Sequence, residues 1–598
     1  MNENTFRLRL GRKEAELKEL YMELYGREEM YDALIAGLER YSAQRSDRLR
    51  ARDAEKEGTD WYKSGDLLGM MLYIDNFAGN LQGVREKLDY LEKANVNYIH
   101  LMPFLDTVPE RSDGGYAVAD FRKVREDLGT MEDLEALTES CHEKGMNICM
   151  DFVMNHTSED HEWAKQARAG EGKYMSRYFF YADPSVVKAY EKTMPQVFPT
   201  TAPGNFTWLP DAEHYVMTTF YPYQWDLNYA NPVVFNEMMF NFLYLANRGV
   251  DVVRVDATPY IWKEMGTSCR NLPQVHTIMR MMRLIGEIVC PSVILLGEVV
   301  MAPQYLAPYF GTVEKPECHL LYNATTMATT WHTLATGDTR QLRMQLDTVN
   351  ALPKEQIFLN YLRCHDDIGW GLDYPVLRRW GMEEVPHKKY LNDFFRGFTG
   401  DAARGELYNE DPVTGDARLC GTTASLCGLE GPDQETAIRK IEMLHGMMLF
   451  QSGIPVLYSG DEIGQTNDWD YKLDPNKVQD SRYLHRGKMP WHLTEGEDTR
   501  EADIFRCLSR LEQLRKAHGA FSSQAESWTF HTGSDHVLGM ARYVDGELLL
   551  GIFNFSEWEH TMAPLTRCSR DLVTGQLYRD SLTLPGWGYV WLNAHSGE

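Results

Sequence analysis

Apolar residues along this chain follow two rhythms, and the change between them divides it. Between Glu14 and Leu38, Leu17, Leu20, Leu24, Met30 and Leu34 recur at broadly helical spacing, with charges on the opposite face. This predicts a helical N-terminal domain over residues 1–66, packed on a larger body. From Gly69 short apolar runs alternate with amphipathic stretches. Gly69–Tyr73 reads as a strand, a helix follows with Leu81, Val84, Leu88 and Leu91 on one stripe, and Asn97–Leu101 reads as the next strand. The unit then repeats. A helix over Glu132–Lys144 stops at Gly145, a natural left-handed cap, before strand Met146–Phe152. Asn231 and Pro232 supply the N-cap and first position of a helix running to Gly249, ahead of strand Val250–Val255. Further strands are expected at Val293–Leu296, His319–Tyr322, Ile357–Leu362 and Pro455–Tyr458. Eight strands separated by helical segments predict an α/β fold, a parallel (β/α)8 barrel over residues 67–518.

Two connections are too long for simple strand-to-helix loops. One covers about 158–230 and is rich in Tyr, Phe and Pro; the other covers about 370–432. Each follows the C-terminal end of a strand, where a barrel keeps its active site, so both read as insertion domains bearing on function. After residue 519 the texture becomes short alternating strands, Val537–Tyr543 and Leu548–Phe553, around an Asp545-Gly546 turn. A C-terminal antiparallel β-sandwich over 519–598 is the expectation.

Composition narrows the partners. The net charge is −26, from 61 basic and 87 acidic residues, which repels phosphate backbones and anionic bilayers. Nucleic acid and membrane are therefore poor partners, and a neutral substrate is the easier one. Ten cysteines are scattered from Cys141 to Cys568 without a CxxC pair, fitting free thiols in a reducing compartment. The first residues are charged and polar, and no apolar run approaches the ~18 residues needed to span a bilayer. A cytoplasmic protein, monomeric or homodimeric, is expected.

The candidate chemistry sits at strand ends. The third strand ends at Asp151 and leads to Asn155 and His156; the fourth ends Arg254-Val255-Asp256; the fifth leads to Glu298; the seventh to His365-Asp366-Asp367. A lone Asp there is commonly a cap and a lone His a structural group. Their coincidence at four strand ends of one barrel mouth is what points to chemistry. Retaining glycoside cleavage needs one carboxylate as nucleophile and one carboxylic acid as proton donor, about 5 Å apart. Arg254 shares a strand face with Asp256 and is expected to keep it ionised, as a nucleophile requires. The apolar run before Glu298 favours a raised pKa, as an acid requires. Asp366 is then free to bind sugar hydroxyls and stabilise developing positive charge, and His156 and His365 to hydrogen-bond the ring.

These segments, Asp151–His156, Arg254–Asp256, Glu298 and His365-Asp366, resemble the four signature regions of the α-amylase superfamily of glycoside hydrolases. The likeness extends to the amylosucrase group through Ser112–Val118, Phe220 with Gln224–Asn228, Arg363–Trp370, Gly460–Gly464 and Asp480–Arg482. What the resemblance implies is a closed pocket for one glucosyl unit. Asp113 and Arg482 would pair at its floor, Tyr116 would stack on the sugar, and Phe220, Asp367 and Arg418 would line the fructose or acceptor side, with Arg404 nearby. It implies a sucrose-cleaving glucosyltransferase that feeds an α-1,4-glucan and releases fructose. Sucrose hydrolase and sucrose phosphorylase are alternatives, and a catalytically dead binding scaffold is the alternative of another class. Departures from the group are Gln196-Val197 before Phe198-Pro199, where an Arg is usual, and Val299 after Glu298, where Ala is common. The first bears on acceptor preference. Asn155 matches a calcium ligand of many α-amylases, but amylosucrases do without that ion, so neither metal nor cofactor is expected.

Overall fold

The computed structural model describes residues 2–563 and 569–594; Cys568 lies outside them. Eight parallel strands form a closed barrel: β1 (Gly69–Leu72), β2 (Tyr98–Leu101), β3 (Asn147–Val153), β4 (Val252–Asp256), β5 (Ile294–Gly297), β6 (Leu320–Tyr322), β7 (Ile357–Asn360) and β8 (Ile454–Tyr458). Each pairs with its sequence neighbours, and β8 returns to β1 with Val456 opposite Gly69. The strands are buried on both faces apart from Asp256 at the end of β4, which is why their sequences run apolar rather than alternating. Gly69 is required at the closure, since a Cβ there would lie 2.9 Å from both the Tyr98 ring and the Val456 side chain.

Local signals set the helix ends. Thr130 and Asp133 form a reciprocal capping box at the start of the helix Met131–Glu143, and Gly145 follows it at φ +71°. Asn231 caps the helix Pro232–Ala246, accepting from the Val233 amide, with Pro232 at its first position. The stretch of helical spacing across Glu14–Leu38 falls in two helices, α1 (Asn2–Tyr25) and α2 (Glu28–Gln44), which meet at left-handed Gly26. With α3 (Asp47–Lys56) they dock on the barrel's outer helices. Tyr21 donates to Asn236, Arg280 pairs with Glu16 at 2.7 Å, and buried Arg45 bridges Asp53 and the Ala246 carbonyl.

The long connection after β3 carries the antiparallel sheet of Phe180–Tyr181, His214–Met217 and Phe206–Leu209. It returns through Gln224–Asp226, which pairs with His156–Ser158 beside the barrel mouth. The connection after β7 carries Ile368–Gly369, Arg418–Cys420 and Glu406–Tyr408. The two connections touch: the Tyr221 and Tyr408 hydroxyls lie 2.6 Å apart, and Thr201 donates to Asn409. At the C-terminal end six strands form one antiparallel sheet, and a ribbon of His560–Met562 with Leu582–Leu584 covers one face. The second leaf of the expected sandwich is thus only two strands wide. On the other face Trp591 packs against Phe450 and Phe521, tying the sheet to the barrel's last helices. The nine described cysteines are all free thiols.

Candidate active site

The β3–β4 register sets Arg254 beside Asp151, and alternation along β4 turns Arg254 and Asp256 to the same side. Arg254 Nη1 donates to Asp151 at 2.5 Å and to Asp256 at 2.6 Å, while its Nη2 lies 4.0 Å from Glu298. One guanidinium therefore faces three carboxylates. Glu298 is held on its other oxygen by the Ala257 amide at 2.8 Å, and Ala257 adopts the left-handed backbone, φ +47°, that aims this N–H. The side chains of Asp256, Glu298 and Asp366 are 13, 24 and 39% exposed, so all three reach solvent.

His365 Nε2 lies 2.7 Å from the Tyr116 hydroxyl and 3.2 Å from Asp366, with its ring stacked on Tyr116 at 5.4 Å. Tyr116 also donates to Asp151, which His100 contacts at 3.0 Å. Arg482 Nη2 reaches Asp113 at 2.8 Å and Asp480 at 2.7 Å, and its Nη1 is 3.7 Å from Asp366. Gln224 donates to the second Asp113 oxygen, and Arg486 lies 3.6 Å from Asp366. The Asp113-Gly114-Gly115 turn has three successive positive φ values. A Cβ on Gly114 would fall 2.8 Å from Arg486 and the Tyr73 hydroxyl, which explains a glycine there.

Away from this floor, Phe220 lies 5.3 Å from His156 and 5.3 Å from Tyr260. His156 contacts the Tyr116 carbonyl, and Arg418 pairs with Asp367 at 3.4 Å. Arg404 instead donates to the Ala403 carbonyl within its own connection. Four neighbours carry no signal in the linear motif: His100, Tyr260, Lys263 and Arg270. A fifth, Arg486, had one, lying four residues after Arg482 on the same short segment.

Electrostatics separates the carboxylates. Burial pushes Glu298 up, Arg254 pulls it back, and the Asp366 charge raises it again. Asp256 departs from expectation: burial, with Glu298, Asp151 and Asp366 around it, outweighs Arg254 and pushes it well above the usual range. Burial also opposes ionisation of Asp366, yet His365, Arg482 and Arg486 hold it well below the ordinary carboxylate range. Arg254 and His100 bring Asp151 down to about 2 against the same opposition. Burial lowers His365 to about 3 and His156 to about 4, keeping both rings neutral near pH 7. Among the described residues, Cys364, His365 and Asp366 group their ligand atoms within 4.8 Å, but His365 is already engaged by Tyr116. Asn155 accepts from the Lys263 ammonium at 2.7 Å, and the same ammonium lies 2.9 Å from Asp226. A cation of the chain itself thus occupies the Asn155 oxygen.

The family model for the alpha amylase catalytic domain matches residues 46–368, running from the start of α3 through the His365-Asp366 segment. This chain belongs to the α-amylase family. It is 30% identical to the trehalose synthase/amylase of Mycobacterium tuberculosis over 562 residues, 87% of each chain. It is 28% identical to the trehalose synthase of Thermus thermophilus, where the match spans 87% of this chain but only 53% of that protein. It is 27% identical to the glucosylglycerate phosphorylase of Escherichia coli, over 83% of this chain and 85% of that one. The trehalulose synthase of Pseudomonas mesoacidophila shares the fold, with a TM-score of 0.65 at 20% identity over 90% of this chain and all of that one. The chain is thus an α-amylase-family enzyme. No helix among the described residues is long and apolar enough to cross a membrane.

Proposed function

We propose that this α-amylase-family enzyme cleaves sucrose and transfers glucose to an α-1,4-glucan, releasing fructose. The observation that carries the reading is the Asp113–Arg482–Asp480 cluster around buried Arg482, 2.8 and 2.7 Å across, on the Asp366 side of the pocket. Such a floor leaves no path for a glucan beyond one glucosyl unit, which supports action on a terminal residue. The motif likeness to amylosucrases supports sucrose as its source.

In this reading Asp256 attacks C1 of the glucosyl unit while Glu298 gives its proton to the departing fructosyl oxygen. This step needs the proton the two share on Glu298; Arg254, 2.6 Å from Asp256 and 4.0 Å from Glu298, favours that placement against the burial that raises Asp256. Asp366, held ionised, stabilises the positive charge that develops at C1. Glu298 then removes a proton from the acceptor hydroxyl, which displaces Asp256; two inversions retain the α configuration. Asp113 and Arg482 grip the far hydroxyls, Tyr116, His156 and His365 contact the ring, and Phe220, Asp367 and Arg418 line the acceptor side.

The test is glucose and fructose released from sucrose, with and without glycogen. Fructose in excess, with the gap widening on glycogen, is the expected outcome. Equal amounts throughout would mean hydrolysis, and a phosphate requirement would mean phosphorolysis. Similarity to trehalose synthases across most of the chain favours a second reading, isomerisation of an α-glucoside within the closed pocket. Conversion of maltose to trehalose without sucrose turnover would establish it instead.

A further inference from the structure

Arg270 stands on the loop after β4 with both neighbours, Cys269 and Asn271, in the left-handed backbone region at φ +53° and +56°. That strained loop is tied down: buried Cys269 anchors one side, and Asn271 accepts from Tyr309 at 2.7 Å on the other. The guanidinium is therefore aimed rather than free. It lies 4.8 Å over the Tyr260 ring and donates to the Pro195 carbonyl of the first insertion at 3.1 Å. Tyr260 touches Phe220, Phe220 touches His156, and His156 reaches the Tyr116 backbone, so an unbroken path joins Arg270 to the glucosyl pocket. The Tyr260 phenol also feels Glu298 and Arg418. Arg418 spends its charge on Asp367, whereas Arg270 forms no ion pair among the described residues. In a chain of net charge −26 the outer acceptor wall thus carries a positive charge left over.

We infer that the acceptor site takes small carboxylate-bearing polyols or sugar acids, with Arg270 binding the carboxylate. The inference rests on the proposed Asp256/Glu298 transfer, but neither on sucrose as donor nor on a glucan as acceptor. With α-glucosyl fluoride, the C1–F bond breaks as the C1–Asp256 bond forms, and Glu298 gives its proton to fluoride. The acceptor hydroxyl then attacks C1, Asp256 leaves as carboxylate, and the hydroxyl proton returns to Glu298.

Gluconate and sorbitol differ only in a carboxylate for a hydroxymethyl, and they make a matched pair of acceptors. Transfer to each is measured per fluoride released. Gluconate should be preferred about tenfold in kcat/KM, the scale of one charge-assisted hydrogen bond. The preference should shrink with added salt, fall close to one in Arg270→Gln and survive largely in Arg270→Lys. A merely structural Arg270 would lower both transfers together and leave their ratio alone. Fluoride release with no gluconate preference, or a preference that survives Arg270→Gln, would overturn this inference alone. No fluoride release would overturn the retaining chemistry, and this inference with it.

Discussion

Glu298 and Asp366 differ in environment more than in chemistry. Glu298 is raised by burial and by the Asp366 charge, whereas Asp366 is kept ionised by His365 and two arginines. A proton donor must be protonated at working pH, so kcat/KM should fall as pH rises through the raised Glu298 value. Because Glu298 and Asp256 share protons, each limb of the profile belongs to the pair. Asp366→Asn removes a charge that raises Glu298, so the alkaline limb should move to lower pH as overall rate drops. A pH profile whose limb stays put would detach that limb from Glu298. Glu298→Gln should cut sucrose turnover about a thousandfold, the middle of the general-acid range. The loss should be much smaller on α-glucosyl fluoride, whose leaving group needs little protonation. Equal losses on both substrates would count against a proton-donor role.

At the scale of elements, what could be read in the sequence was whatever is periodic or capped. The barrel strands are short apolar runs between caps such as Thr130 and Asn231, and they lie within a few residues of their expected positions. The break at Gly26 was missed, although the step from Leu24 to Met30 is out of helical phase and a glycine there is the same stop signal as Gly145. Nor was the narrow second leaf of the C-terminal sheet, since alternation reports strand type and not which sheet a strand joins. The docking of α3 was equally hidden. It rests on buried Asp251, just before β4, which receives Arg52 at 2.6 Å, His142 at 2.9 Å and the Ile148 amide at 2.9 Å, with Lys56 at 3.6 Å. Burial opposes its charge, but His142, Lys56 and Arg52 hold Asp251 well below its ordinary 3.8. The stability this contributes is fully present above that value and is lost as pH falls below it. Asp251→Asn leaves buried cations uncompensated and should cost about 3–5 kcal/mol at neutral pH. A thermal melt matching the parent at pH 7 would contradict this account of how α3 is held.

For the whole molecule, the barrel converts sequence separation into proximity: Asp113 and Arg482, 369 positions apart, meet at 2.8 Å. Strand-end positions were legible because the topology dictates where they converge. Arg270 and Lys263 were not, because loop backbone rather than strand register aims them. The same convergence makes the pocket floor testable as a unit. Removing Arg482 alone would strand Asp113 in the interior, so loss of activity could reflect poor folding. Asp113→Ala with Arg482→Ala removes both partners and opens the floor, leaving Asp480 near Arg486. Sucrose kcat/KM should fall about a hundredfold, the value of one or two charged hydrogen bonds to the glucosyl unit. An opened floor should also admit a glucan running through the site. Dye release from crosslinked starch, absent in the parent, should then become measurable in the double variant. If the variant folds, loses sucrose turnover and still leaves starch intact, something other than this cluster closes the pocket. The restriction to terminal residues would then have to come from the two insertions that meet above it, through Tyr221 and Tyr408.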